Sequence, residues 1–188
     1  MTKMPAIAGV ACLALVFLPL AVVHADVSQC GCDPANPETL AARECSLCSE
    51  AERHVINDEI FFLRDINPRK PNRWLALPRA HGRRHHPLRE MSAEERARLW
   101  TAAIQKAKEL WGDEWGIAYN GDEVRTQCHA HVHIGQYLRE SEAEAPFKVV
   151  DGPAQIPVPQ GEGMWIHPEG GKLHVHSGPQ ITERFLLR

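Results

Sequence analysis

The chain has no excess of basic residues. Lys and Arg total 21 against 24 Asp and Glu in 188 residues, a formal net charge of -3, so there is no cationic field for long nucleic acid. No internal repeat recurs at a fixed period, which excludes a solenoid. The polar bias of a disordered chain is also missing, with 44% hydrophobic and 24% charged residues. A chain of this length fits one domain. The unusual presences are 11 His, 6 Cys, 5 Trp and 14 Pro. Imidazole titrates near neutrality and binds metals, so the histidines are where chemistry is sought first.

Residues 6–23 are almost purely apolar, follow Lys3, and end at Val23-His24-Ala25. This predicts a signal peptide over 1–25, cut before Asp26. The other reading is a retained anchor, since 18 apolar residues just span a bilayer, although Pro19 interrupts them. Both place the rest of the chain outside the cytoplasm, in the periplasm or secreted, free or held at the membrane through 6–23. Export makes the cysteines matter. Cys30, Cys32, Cys45, Cys48 and Cys128 remain, an odd number, so at least one is free, metal-bound or paired between chains. Cys45-x-x-Cys48 has metal-ligand spacing and is equally suited to disulfide formation, with Cys30 or Cys32 as further partners.

The expected organisation is α+β, with one main helix and several antiparallel strands. Residues 26–44 read as an irregular lead-in. Residues 54–65 read as two short strands around Asn57-Asp58, the second at 60–63. A strand at 74–77 stops at Pro78, and 82–89 is a basic loop. Ser92-x-x-Glu95 is a capping box that starts a helix running to Trp111 and ended by Gly112. Leu99, Trp100, Ala103, Ile104, Ala107, Leu110 and Trp111 form its apolar face. Strands are expected at 116–120 and 128–137. After 140 a Pro- and Gly-rich extension carries short strands at 147–150, 164–167, 173–176 and 185–187.

The string Cys128-His129-Ala130-His131-Val132-His133-Ile134 carries the chemistry. On a strand, His129, His131 and His133 share one face, and Ala130, Val132 and Ile134 share the other, which suits a core. Three buried polar rings on one face each need a partner, which argues against a purely structural strand. Two chemistries suit the face: metal coordination, or attack of a neutral imidazole on phosphorus. Spacing alone does not choose between them.

The string resembles the histidine triad pattern, His-apolar-His-apolar-His-apolar. Upstream, Ile60-Phe-Phe-Leu-Arg-Asp-Ile-Asn-Pro68, Trp74-Leu-Ala-Leu-Pro78 and His81 look like the strand, Asp-Ile-x-Pro turn, strand, Pro and His of that superfamily. The likeness covers about 45–140. Asn120 and Arg125-Thr126-Gln127 before the triad are similar to the corresponding stretch of CDP-diacylglycerol pyrophosphatases, a membrane-associated branch.

The resemblance implies a triad-like antiparallel sheet and a hydrolase acting on phosphoric anhydrides, or a nucleotidyl transferase. His131 would be the nucleophile on a nucleoside diphosphate-type ester, with His129 and His133 holding the phosphoryl oxygens or protonating the leaving group. Asp65 would accept from the ribose. Asn120, Arg125, Thr126 and Gln127 would bind phosphate. The partner would be a nucleotide or nucleotide-lipid substrate, with a membrane surface and a homodimer in keeping with the family. A structural zinc on Cys45, Cys48, His81 and His129 is implied by the zinc-carrying members, while the chemistry itself requires no cofactor.

Plainer readings stand beside these. Arg125 could be a solvated charge near Asp122 and Glu123, Asp65 and Asn120 could be turn residues, and Thr126 could simply favour a strand. Leu173-His174-Val175-His176 and His167 could add metal or phosphate contacts or line an exposed strand. The competing function is an exported zinc- or copper-binding protein without catalysis.

Overall fold

The structure is a computed structural model that describes residues 27, 30–54, 59–80, 86–139 and 146–188. The fold is α+β. A short helix, α1 (Ser46–Arg53), precedes strands β1 (Ile60–Arg64) and β2 (Trp74–Pro78). The main helix α2 (Ala93–Trp111) leads to β3 (Trp115–Tyr119) and β4 (Val132–Gln136). The chain then adds β5 (Phe147–Val150), β6 (Gly163–Glu169) and β7 (Lys172–Gly178). All seven strands form one sheet in the order β1-β2-β4-β3-β6-β7-β5, with every neighbouring pair antiparallel.

Register divides the sheet into two chemically different faces. One cross-strand row reads Trp74, Ile134, Ile117, Ile166 and Val175. The next row reads Leu75, His133, Ala118, Trp165, His176 and Phe147. The first row packs beneath α2, whose buried face is Leu99, Trp100, Ala103, Ile104 and Ala107. Each large side chain buried there contributes roughly 1.5–3 kcal/mol. A one-residue slip would move the histidines into that hydrocarbon.

The capping box at Ser92 forms in both directions, with the Glu95 amide donating to the Ser92 hydroxyl and the Ser92 amide donating to the Glu95 carboxylate. Gly112, at φ 57°, ends α2 in a conformation that a side chain would strain. Leu110, expected on the apolar face, is exposed, while Trp111 packs against the core.

The second face is covered by two separate pieces. Leu47 and Ala51 of α1 pack on Phe61 and Leu77. At the other side, Phe185 and Leu186 pack on Ala118, Tyr137 and Trp165. Gly116 and Gly135 permit this closure: a Cβ on Gly116 would lie 2.6 Å from Leu186 Cδ2, and one on Gly135 would lie 3.2 Å from the Leu186 Cβ.

Three expectations change. The first half of 54–65 is not a strand where it is described: His54 caps α1, and residues 55–58 lie outside the described residues. The helix was missed because it is short and largely polar, with only Leu47, Cys48 and Ala51 buried. The strand expected over 128–137 shrinks to Val132–Gln136, because the preceding backbone turns to other partners, the Cys128 amide donating to Glu44 O. Residues 185–187 are not a strand: Glu183–Phe185 is a 3-10 turn, and Leu186 makes one isolated bridge to Tyr137. Beyond 140, the strands expected at 147–150, 164–167 and 173–176 form, and they join the same sheet as β5, β6 and β7.

Candidate active site

The alternation read from the triad string is realised. Ala130, Val132 and Ile134 lie in the core beneath α2, and the three histidines face away from it. Only His133 sits in the regular ladder; His129 lies on a bend and His131 immediately before β4. His129 Nε2 lies 2.7 Å from Pro78 O at the end of β2. A carbonyl can only accept, so that nitrogen carries the proton.

His131 Nδ1 lies 2.9 Å from the His129 carbonyl oxygen. The same logic protonates Nδ1 and leaves Nε2 with its lone pair. His131 is buried, and burial pushes its pKa down from 6.5 to about 4, with the Arg125 charge acting in the same direction. The ring is therefore neutral at pH 7. His133 stands edge-on to it, ring centroids 5.1 Å apart. Burial, reinforced by His131, Arg73 and Lys70, also holds the pKa of His133 well below its ordinary value.

A carboxylate from the C-terminal segment faces His133: Glu183 Oε2 is 3.7 Å from His133 Nδ1. The same oxygen takes an ion pair from Lys70 at 2.5 Å and one from Arg73 at 3.3 Å. Asp65 belongs to this group, since Asp65, His133 and Glu183 each place one polar atom within 4.8 Å of the others. Asp65 is also the turn residue anticipated for it, accepting from the Asn67 amide at 2.9 Å. The turn reading is borne out, and the same side chain lies beside His133 and Glu183.

The remaining expected phosphate binders are distributed unevenly. Arg125 is 4% exposed and is no solvated charge. Its guanidinium donates to His86 O at 2.7 Å, pairs with Asp122 at 3.0 Å and lies over the Tyr119 ring. Asn120 turns its side-chain oxygen to the backbone amides of Thr182, at 2.9 Å, and Glu183, at 3.2 Å. It thereby holds the segment that carries Glu183. Gln127 braces α1 instead: its oxygen accepts from Ser46 Oγ at 2.8 Å and its amide donates to Arg43 O at 3.0 Å. Thr126 is exposed.

Lys70, Arg73 and Glu183 were not singled out from sequence. Lys70 and Arg73 lie around the Pro71 turn, and Glu183 is 50 residues beyond the triad, so no local pattern connects them.

The cysteines take a different arrangement from the implied zinc set. Cys30 is bonded to Cys128 and Cys32 to Cys45, while Cys48 is a free, buried thiol. Cys45 is thus not a thiolate, and a zinc on Cys45, Cys48, His81 and His129 does not fit: one ligand is oxidised and His129 Nε2 bonds Pro78 O. His81, with His85, Arg83 and Arg84 of the basic loop, lies outside the described residues. Burial raises the Cys48 thiol to a pKa of about 11, which keeps it protonated and unreactive. The Cys30–Cys128 bond fixes the residue immediately before the triad to the lead-in.

The apolar run at 6–23 also lies outside the described residues, and none of the described helices is long and apolar enough to cross a membrane. No protein-family model matches the chain, and no match to it was found among curated proteins.

Proposed function

We propose that the chain is a histidine triad-type phosphohydrolase that cleaves a nucleoside diphosphate-type ester through a covalent intermediate on His131. One observation carries this reading: the His131 Nδ1 contact with the His129 carbonyl, which leaves a neutral ring with Nε2 available. In the first step Nε2 bonds to the α-phosphorus and the bridging P–O bond breaks, its electron pair leaving with the departing phosphate ester. In the second, water adds to phosphorus, the P–N bond breaks, and the water proton passes to a neighbouring base. His133 is the base that takes this proton and returns it to solvent. An anionic phosphate beside it favours its charged form, and Glu183 stabilises the imidazolium. Arg125, Lys70 and Arg73 offset negative charge around the phosphoryl group.

The substrate class is a nucleotide or nucleotide-lipid diester such as a CDP-diacylglycerol-like molecule, met outside the cytoplasm. Two disulfides support export, since such bonds persist in oxidising compartments. The test is a substrate screen of ADP-type, dinucleoside polyphosphate and CDP-lipid esters, with acid-labile phosphate sought on the protein. Turnover that is unchanged in His131→Ala rejects the reading.

A further inference from the structure

Three histidines outside the triad converge on the second face of the sheet. His167 comes from β6, and His174 and His176 from β7, across a hairpin register that pairs His167 with His174. One nitrogen of each lies within 4.8 Å of the other two. His167 and His176 are each 1% exposed, while His174 is half-buried.

Aromatic rings stack on all three. Tyr137 stacks on His167 with centroids 4.1 Å apart and planes 6° apart. Trp165 stacks on His176 at 4.6 Å and Phe147 on His174 at 5.0 Å. The Nε2 atoms of His167 and His176 face each other at 3.0 Å, so one of them must carry a proton to avoid two opposed lone pairs. His167 Nδ1 lies 3.4 Å from Pro168 O, which favours the proton on Nδ1 and the lone pair on Nε2. Two imidazole nitrogens on a tetrahedral zinc sit roughly 3.3 Å apart, given Zn–N bonds of about 2.0–2.1 Å. The observed spacing is close to that, and a divalent ion can take the place of the shared proton, which is released to solvent.

We infer that His167, His174 and His176 form a binding site for one borderline divalent transition-metal ion of the zinc class. The three imidazoles supply the ligands, and the fourth tetrahedral position is left for water or another donor. The ion cross-links β6 and β7 near the free edge of the sheet. Along the row that holds His133 and His176, this site is three strands from the triad, about 14 Å at roughly 4.8 Å per strand. It neither requires the triad reading nor supplies its chemistry.

The experiment takes the exported chain, stripped with chelator and dialysed, and titrates it with Zn2+ and separately with Co2+. One Zn2+ per chain is expected, with a thermal midpoint that rises on binding. Cobalt is expected to give visible d–d bands with no thiolate charge-transfer band. His174→Gln is expected to keep its circular dichroism and any hydrolytic activity while weakening Zn2+ by at least about tenfold, the least that loss of even an outer partner costs. Folded wild-type protein with no saturable Zn2+ overturns the site. So does a cobalt–thiolate band, or Zn2+ binding lost in Cys48→Ser but kept in His174→Gln. The wild-type cobalt spectrum decides the matter even where a variant fails to fold.

Discussion

Arg73 and Glu183 lie 110 residues apart in sequence and join at two points: the guanidinium is 3.3 Å from the Glu183 carboxylate and donates to the Glu183 carbonyl at 2.6 Å. Arg73 also donates to Leu186 O and Leu187 O. A single cation at the mouth of β2 therefore ties down the C-terminal segment and sets the carboxylate that faces His133. Arg73→Leu should destabilise the protein by about 3 kcal/mol or more, because several acceptors lose a charged donor. Chemical denaturation measures it. Glu183→Gln keeps the backbone contacts, so it should lower kcat more than it lowers stability.

His131→Ala should reduce hydrolysis by about 10⁴-fold or more while leaving the circular dichroism unchanged, as removal of a nucleophile does elsewhere. Steady-state assay on whichever ester the screen identifies checks this.

The pH dependence follows from the direction of the His131 shift. Its folded value is about 4, against 6.5 for an unburied ring. As pH falls below 6.5, the unfolded chain takes up a proton that the folded chain refuses. Stability should therefore drop between about pH 6.5 and 4 and level off below, with His133 acting in the same sense. If His131 is the nucleophile proposed above, the acid limb of kcat/KM should lie near pH 4, since its ring stays neutral down to there. A limb at 6.5 would assign the titration to a different group.

Under non-reducing conditions, a chain beginning at Asp26 should contain one titratable thiol, Cys48, detectable only after denaturation because it is 0% exposed. Reducing the Cys30–Cys128 bond, which spans 98 residues, should cost about 4–5 kcal/mol by the chain-entropy model. Peptide mapping of unreduced digests tests the pairing directly.

Gly116→Ala should destabilise the closure over the second face by about 1–3 kcal/mol, as overpacking does. A thermal melt that is unchanged would mean Leu186 moves aside freely.

Much of the scaffold was legible in the chain. The capping box at Ser92, the stop at Gly112 and the apolar face of α2 are local signals, and each formed as read, apart from Leu110. The alternation about His131 was legible for the same reason, since side-chain direction on extended backbone has period two. Gln127 and Asn120 were harder. Both are polar residues near the triad, and only the packing of α1 and of residues 182–183 shows where their amides turn.

The amino-acid sequence by itself determined the α+β class and which face of β4 meets the core, because propensity, capping and periodicity act between near neighbours. Tertiary structure decided which cysteines join, that Cys45 is oxidised, and that Glu183, Lys70 and Arg73 surround His133. It also decided that β6 and β7 bring His167 to His174 and His176. These are long-range encounters, set by strand order and by what can close over a sheet face, and no short stretch of chain encodes them.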